Sequence, residues 1–294
     1  MENNGFLKSI GLLFRSRKEI VFASTWTAAL ASIIAGGGFP PISLSIFSIM
    51  AVMLINLSVY IYNDIIDRKM DAYSKQDKKK SRPIANGQVS LTNAKRFVYI
   101  TGILGLGICL LVNIVAFGVG LVYFFILILY SYPGVRFKTR FIIKTLITSL
   151  VPAATLIITG LVVENRISNN ISFLALAYFI LSFTAQPVIA DMLDFEEDLA
   201  FNVKTLGNTL TWRQNLLIFN FGLIFTIITG LVYYKIFGLS YFIPITLSVL
   251  CIPGILYSYK LRNESGLTAS HKLRPIGFAL ILSTPLIIAL GIVF

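Results

Sequence analysis

The chain has 294 residues, of which 56% are hydrophobic and only 13% are charged. A soluble domain of this size carries about twice that charged fraction, which excludes a water-soluble globular enzyme. The 25 Lys and Arg outnumber the 13 Asp and Glu to give a net charge of +12, a balance that in a soluble protein would point to nucleic acid.

Apolar stretches of about 20 residues recur from end to end, long enough to cross a bilayer as helices. In chain order they cover roughly 20–38, 43–62, 94–113, 115–132, 141–162, 171–190, 214–234, 237–258 and 275–293. The predicted fold is all-α: one polytopic membrane domain over residues 1–294, with about nine transmembrane helices. Only Asn113 and the nearby glycines separate the third stretch from the fourth. A polar, basic leader precedes the first, and no cleavable signal peptide is expected. Cys109 and Cys251 fall inside spans and read as buried thiols. His271 is the only histidine, so chemistry that needs a pair of histidines is excluded.

With nine spans, the leader and every second loop share one side. All Lys and Arg except Arg166 and Lys235 fall there, as do all acidic residues except Glu164. The positive-inside rule makes that side cytoplasmic, together with the N-terminus. The charge is thereby explained by a lipid bilayer, with no nucleic-acid partner.

The second and sixth spans each run into an acidic motif on this side. The first is Asn63-Asp64-Ile-Ile-Asp67-Arg-Lys-Met-Asp71, and the second is Asp191-Met-Leu-Asp194-Phe-Glu-Glu-Asp198. Aspartates at i, i+3 and i+7 share one face of a helix, where like charges repel and require compensation. Hard oxygen ligands suit Mg²⁺, which also takes phosphate oxygens of a substrate. One such triplet is compatible with a solvated helix end. Two with identical spacing, at equivalent ends of equivalent spans, point to a metal-bridged diphosphate.

Cations surround the motifs. Lys78, Lys79 and Lys80 read as orientation signal and contacts with anionic lipid. Arg82 precedes Pro83 and Gly87, a turn that can fix its guanidinium for phosphate oxygens. The fourth span ends in Tyr130-Ser131-Tyr132-Pro133-Gly134-Val135-Arg136-Phe137-Lys138, and Lys204-Thr205 follows the second motif. Tyr130, Arg136, Lys138 and Lys204 are therefore candidate diphosphate contacts beside Asn63 and Arg82. Tyr60, Tyr62 and Tyr130 are candidates to stabilise an allylic cation.

The run from Asn63 to Asp71 with Arg82-Pro83-x3-Gly87 resembles the first signature of the UbiA superfamily of intramembrane prenyltransferases. The run from Asp191 to Asp198 with Thr205-Leu206 resembles the second, and Tyr130-Ser131-x-Pro133 leading to Lys138 a third. The resemblance implies a helical bundle with a central cavity, Mg²⁺ held by both acidic motifs, a prenyl diphosphate donor and a hydrophobic or amphiphilic acceptor. Carried over by position, Asn63, Asp64, Asp67, Asp71, Asp191, Asp194 and Asp198 match metal–diphosphate ligands. Asp64, Asp67, Asp191 and Asp194 are the ones on which catalysis is expected to rest, and Arg82 and Lys138 match diphosphate contacts. Glu197 and Asn202 stand where many relatives have Gly. Two rival classes are a cation-coupled transporter using the aspartates as ion ligands and a Mg-dependent enzyme transferring a phospho-alcohol between lipids.

Overall fold

The computed structural model describes residues 5–74 and 77–294, with the side chains of Asp77 and Lys78 outside the description. The described residues form helices and connecting turns, with no strand among them.

The leader is not an irregular tail. It folds as an amphipathic helix, α1 (Phe6–Ser16), whose Ser9 and Leu13 are buried. Asn93 donates to Ser9 at 3.0 Å, and Leu13 joins a core with Leu57, Ile61, Ile84 and Phe97. The spans follow: α2 (Lys18–Ala35), α3 (Ile42–Tyr73), then a short α4 (Asp77–Lys80), α5 (Leu91–Val112), α6 (Ile114–Ser131), α7 (Ile143–Glu164) and α8 (Asn169–Gln186). Two short helices, α9 (Phe195–Ala200) and α10 (Leu206–Thr209), lead to α11 (Trp212–Lys235), α12 (Phe242–Lys260) and α13 (Gly266–Val293). Nine of these elements are long and apolar enough to cross a membrane, α8 being extended to Asp191. Asn113 does divide α5 from α6: its backbone is extended, and its side chain accepts from Ala116 N at 2.8 Å, capping the next helix.

Consecutive spans pack side by side, and α13 returns to α2, which closes the bundle. In lipid the attraction between helices comes from close packing and buried hydrogen bonds rather than from apolar burial. Asn56 supplies one such link, donating to Ser24 at 2.8 Å and accepting from Tyr123 at 2.6 Å, so that α2, α3 and α6 are tied at one buried point. Gly105 supplies close packing: a Cβ there would lie 2.9 Å from the Ala51 carbonyl oxygen and 2.8 Å from the Ile55 side chain.

The two acidic motifs are built differently. The first lies on an unbroken α3, which continues for more than two turns beyond the apolar stretch. The second does not share one helical face. After α8 the chain makes a π-turn over Pro187–Asp191, Asp194 falls outside any helix, and Asp198 belongs to α9. Pro187 lacks the N–H that would continue the ladder, and Met192 N reaches back to Pro187 O at 3.2 Å. The widened turn packs against two glycines. A Cβ on Gly277 would lie 2.5 Å from Ile189, and one on Gly207 would lie 2.6 Å from Asp191. Asn202, with φ at 52°, takes the left-handed position that turns the chain after α9, one of the few conformations Asn tolerates in place of Gly.

The α3–α5 contact gives a direct stability test. Gly105→Ala should destabilise the folded protein by about 1–3 kcal/mol, read as a lower Tm in detergent. Gly107→Ala, where a Cβ meets nothing within 4 Å, should leave Tm unchanged or slightly raised. Equal effects at both positions would contradict the close α3–α5 packing.

Candidate functional site

Where α3, α6, α7 and α8 end on the basic face, they enclose a cavity of about 290 Å³. Its wall brings together Asn63, Asp67 and Asp71 from α3, Tyr130 and Ser131 from α6, and Asp191, Asp194 and Asp198 from the second motif. Arg82, Arg136 and Lys138 join them from the connecting loops. Residues that are distant in sequence, from both halves of the chain, therefore share one space.

The cavity is layered. At the basic face the carboxylates alternate with cations. Arg17 forks onto Asp64, with Nε donating to Oδ2 at 2.9 Å and its second arm on Oδ1. Arg82 bridges Asp71 at 2.7 Å and Asp64 at 3.1 Å. Lys138 is paired with Asp67. Lys144 lies 3.1 Å from Asp191 and 3.2 Å from Asp198. Lys79 spans Asp194 at 3.1 Å and Glu197 at 2.8 Å, and Ser74 also donates to Glu197 at 3.1 Å. Deeper in the membrane come neutral groups, Tyr60, Asn63, Tyr130, Thr148 and Gln186, and the apolar wall of Val59, Leu127 and Val151. Asn63 is oriented by Ser131, which donates to its Oδ1 at 2.6 Å.

Burying these charges costs free energy unless each is paired, and pairing is what the site supplies. Asp64, Asp67, Asp71 and Asp191 are all buried. Burial pushes the Asp198 carboxyl up to about 6, against the pull of Lys144. Burial would lower the Lys79 ammonium, but Asp194 and Glu197 outweigh it and the pKa rises. At Lys138 burial wins over Asp67, and the pKa falls.

Several placements differ from the sequence reading. Lys79 is not a free surface lysine; it is a half-buried tie between the loop after α3 and the second motif. Lys78 lies outside the described side chains. Lys204 is exposed and is not part of the cavity wall, because Val203 and Thr205 on either side are the ones that turn inward. Asp64 sits behind Arg17 and Arg82 rather than on the wall. Arg136 reaches the cavity from an exposed turn, in a left-handed conformation. Arg17, Lys144 and Gln186 are not singled out by the sequence, and Glu197 is marked there only as standing where many relatives have Gly. Arg17 and Lys144 flank spans on the basic face and were indistinguishable there from orientation charges; Arg17 also lies 5.6 Å from the Tyr60 ring centre.

A metal would have to enter this set by exchange. Among the described residues no trio of acidic, histidine or cysteine side chains is gathered closely enough to hold an ion unaided. The donor chemistry nonetheless fits a hard divalent cation, since the acceptors on the wall are oxygens with no histidine or cysteine among them. Glu197 Oε1 is buried without a hydrogen bond, and so is Asp191 Oδ1, whose 3.1 Å approach to Lys144 lacks hydrogen-bond geometry. Each has a lone pair that a hard cation could take.

Among the described residues, nine spans, two acidic motifs and a cavity between them define a polytopic membrane protein with an ionic site at one face. Residues 24–282 match the UbiA prenyltransferase family, and the chain belongs to that family. It is 27% identical to a digeranylgeranylglyceryl phosphate synthase of Methanobrevibacter smithii over 76% of this chain and 79% of that one. It is 32% identical to a 4-hydroxybenzoate octaprenyltransferase of Shewanella woodyi, but over 30% of each chain only. Among solved structures, one described as a digeranylgeranylglyceryl phosphate synthase in membranes superposes with a TM-score of 0.79 at 22% identity, covering 98% of this chain and 99% of that one. A UbiA homolog from Archaeoglobus fulgidus bound to DMAPP and Mg2+ gives 0.64 at 16% identity, covering 95% and 98%.

The Lys79 tie is testable without any substrate. Lys79→Ala should loosen the segment after α3 and raise amide exchange across residues 79–90 by about ten-fold, because Glu197 and Asp194 lose a partly buried counter-charge. Lys80→Ala, whose side chain is exposed, should leave exchange unchanged. Indistinguishable exchange in the two variants would remove the tie.

Proposed function

We propose that this chain is an intramembrane prenyltransferase that moves a prenyl group from a prenyl diphosphate to an acceptor drawn from the bilayer, assisted by Mg²⁺. The observation that carries this reading is the layered cavity: an ionic layer suited to metal and diphosphate lies directly over a neutral and apolar layer suited to a hydrocarbon chain.

Asn63, Asp64, Asp67 and Asp71 from the first motif and Asp191, Asp194 and Asp198 from the second would hold the metal, which when bound neutralises the diphosphate and makes it a leaving group. The cations that now pair with these carboxylates then have a second use. Arg82, Lys79, Lys138 and Lys144 become available to diphosphate oxygens, Arg82 through a directed fork and the lysines as point charges. They stabilise the negative charge that grows as the carbon–oxygen bond breaks. Tyr60 and Tyr130, beneath the ionic layer, supply electron-rich rings to a developing allylic cation. Val59, Leu127 and Val151 keep water away from it.

Two considerations favour an alcohol-bearing lipid acceptor over an aromatic ring. A relative matched over most of its length is a digeranylgeranylglyceryl phosphate synthase, whereas the match to the Shewanella woodyi octaprenyltransferase is confined to under a third of each chain. The wall of the deeper layer is also neutral, which suits a hydroxyl rather than a ring carboxylate. A cation-coupled transporter is the weaker reading. Such proteins place ion ligands near the bilayer midplane on broken helices, whereas here the carboxylates gather at helix ends and already face Arg and Lys. The basic, positive face is read as cytoplasmic, with the N-terminus on the same side.

The test is product formation by purified protein from radiolabelled prenyl diphosphates and a panel of lipid and aromatic acceptors. Transfer should require Mg²⁺, stop with excess chelator and return on add-back; full turnover in chelator would overturn the metal-assisted reading. Asp67→Asn and Asp194→Asn should each lower kcat/KM by about a hundred-fold or more while Tm stays within a few degrees, since both line a polar cavity. A fully active Asp194→Asn would detach the second motif from the reaction. Arg82→Lys should still lose about ten-fold, because an ammonium cannot replace the guanidinium fork.

A further inference from the structure

Gln186 closes α8 just before the π-turn and lines the cavity, about one turn deeper in the membrane than Asp191. Of the neutral groups beside it, Thr148 and Asn63 have partners within the protein, whereas the Tyr60 and Tyr130 hydroxyls have none among the described residues. Thr148 donates to the Lys144 and Thr145 carbonyls, each at 3.1 Å, and Asn63 accepts from Ser131. The Gln186 carboxamide has no hydrogen-bond partner among the described residues. An amide has two N–H donors and a carbonyl acceptor, and those of the half-buried Gln186 are available to whatever enters the cavity. It carries no charge, so it suits neither a diphosphate nor a metal as a main ligand. Its depth also keeps it below the ionic layer, where the reacting carbon of a donor held by its diphosphate would lie.

We propose that Gln186 is an acceptor-positioning residue: its carboxamide binds the hydroxyl of the acceptor, and so contributes to selecting an alcohol-bearing lipid. This inference rests on the prenyltransferase reading. The carbonyl accepts a hydrogen bond from the hydroxyl and leaves an oxygen lone pair free to attack the donor carbon; the amide is too weak a base to take the proton, which passes to the departing diphosphate as the new carbon–oxygen bond forms and the old one breaks. The Pro187 turn fixes where the carboxamide sits, because the helix cannot continue past it in α geometry.

The experiment measures binding and turnover separately, with geranylgeranyl diphosphate as donor and geranylgeranylglyceryl phosphate as acceptor. Calorimetric titration with each, in the full-length protein in nanodiscs, is repeated with the O-methyl ether of the acceptor. Wild type should bind the hydroxyl acceptor about ten-fold more tightly than the ether. Gln186→Leu, of similar volume, should bind both with the weaker affinity, keep donor affinity unchanged and keep Tm. Gln186→Asn should recover part of the preference. If Gln186→Leu keeps the full hydroxyl preference, or loses donor and acceptor affinity together, the assignment is wrong. If wild type binds donor but no acceptor of the panel, the acceptor reading falls with it; if it binds no prenyl diphosphate, the prenyltransferase reading itself falls.

Discussion

The rest of the structure depends on one constraint: carboxylates buried at a membrane boundary must be neutralised by something fixed. Seven acidic side chains, Asp64, Asp67, Asp71, Asp191, Asp194, Glu197 and Asp198, are brought together there, and each faces an Arg or Lys. The cations come from other elements than the acids they pair with: Arg17 from the α1–α2 junction, Lys79 and Arg82 from the loop after α3, Lys138 from the loop after α6, Lys144 from the start of α7. The pairing thus does two things. It makes burial of the acids tolerable, and it ties the two halves of the bundle together at the face where chemistry is proposed.

The same arrangement links resting structure to turnover. A site of bare carboxylates would repel a diphosphate, and a site of bare lysines would repel a metal. With the two interleaved, metal and diphosphate can enter as a near-neutral pair, the carboxylates exchanging ammonium for metal and the freed cations meeting phosphate oxygen. Glu197 Oε1 and Asp191 Oδ1 are where the resting hydrogen bonding is incomplete, the latter despite its ion pair with Lys144. Below the ionic layer, dispersion and aromatic surfaces replace charge, which is where a hydrocarbon chain and a carbon-centred cation belong.

How much of this was legible in the sequence follows from physics that is local or long-range. The nine spans were legible because a bilayer demands about 20 apolar residues whatever the packing, and Asn113 was readable as a divider because an Asn cap interrupts an otherwise apolar run. The two motifs were legible because a spacing of three and four residues is a local signal. The broken geometry of the second was not, since its cause lies in Gly207 and Gly277 on later elements as well as in Pro187. The roles of Arg17 and Lys144 were hidden because an orientation charge and a site charge look alike until tertiary structure pairs them. Lys79 was misread for the same reason, and Lys204 in the opposite sense: proximity in sequence to Asp198 did not bring it to the cavity. Amphipathic α1 is hard to read because it is only 11 residues long and Lys8 and Arg15, on its exposed face, make the leader look uniformly polar.

The central claim is that metal and diphosphate replace the internal ion pairs together. It is tested most directly by Mn²⁺ binding, followed by electron paramagnetic resonance in nanodiscs, with and without a non-hydrolysable prenyl thiodiphosphate. The account predicts weak Mn²⁺ binding by the protein alone, because Lys and Arg already occupy the carboxylates, and at least a hundred-fold tighter binding when the analogue is present. Equally tight Mn²⁺ binding with and without the analogue would contradict it.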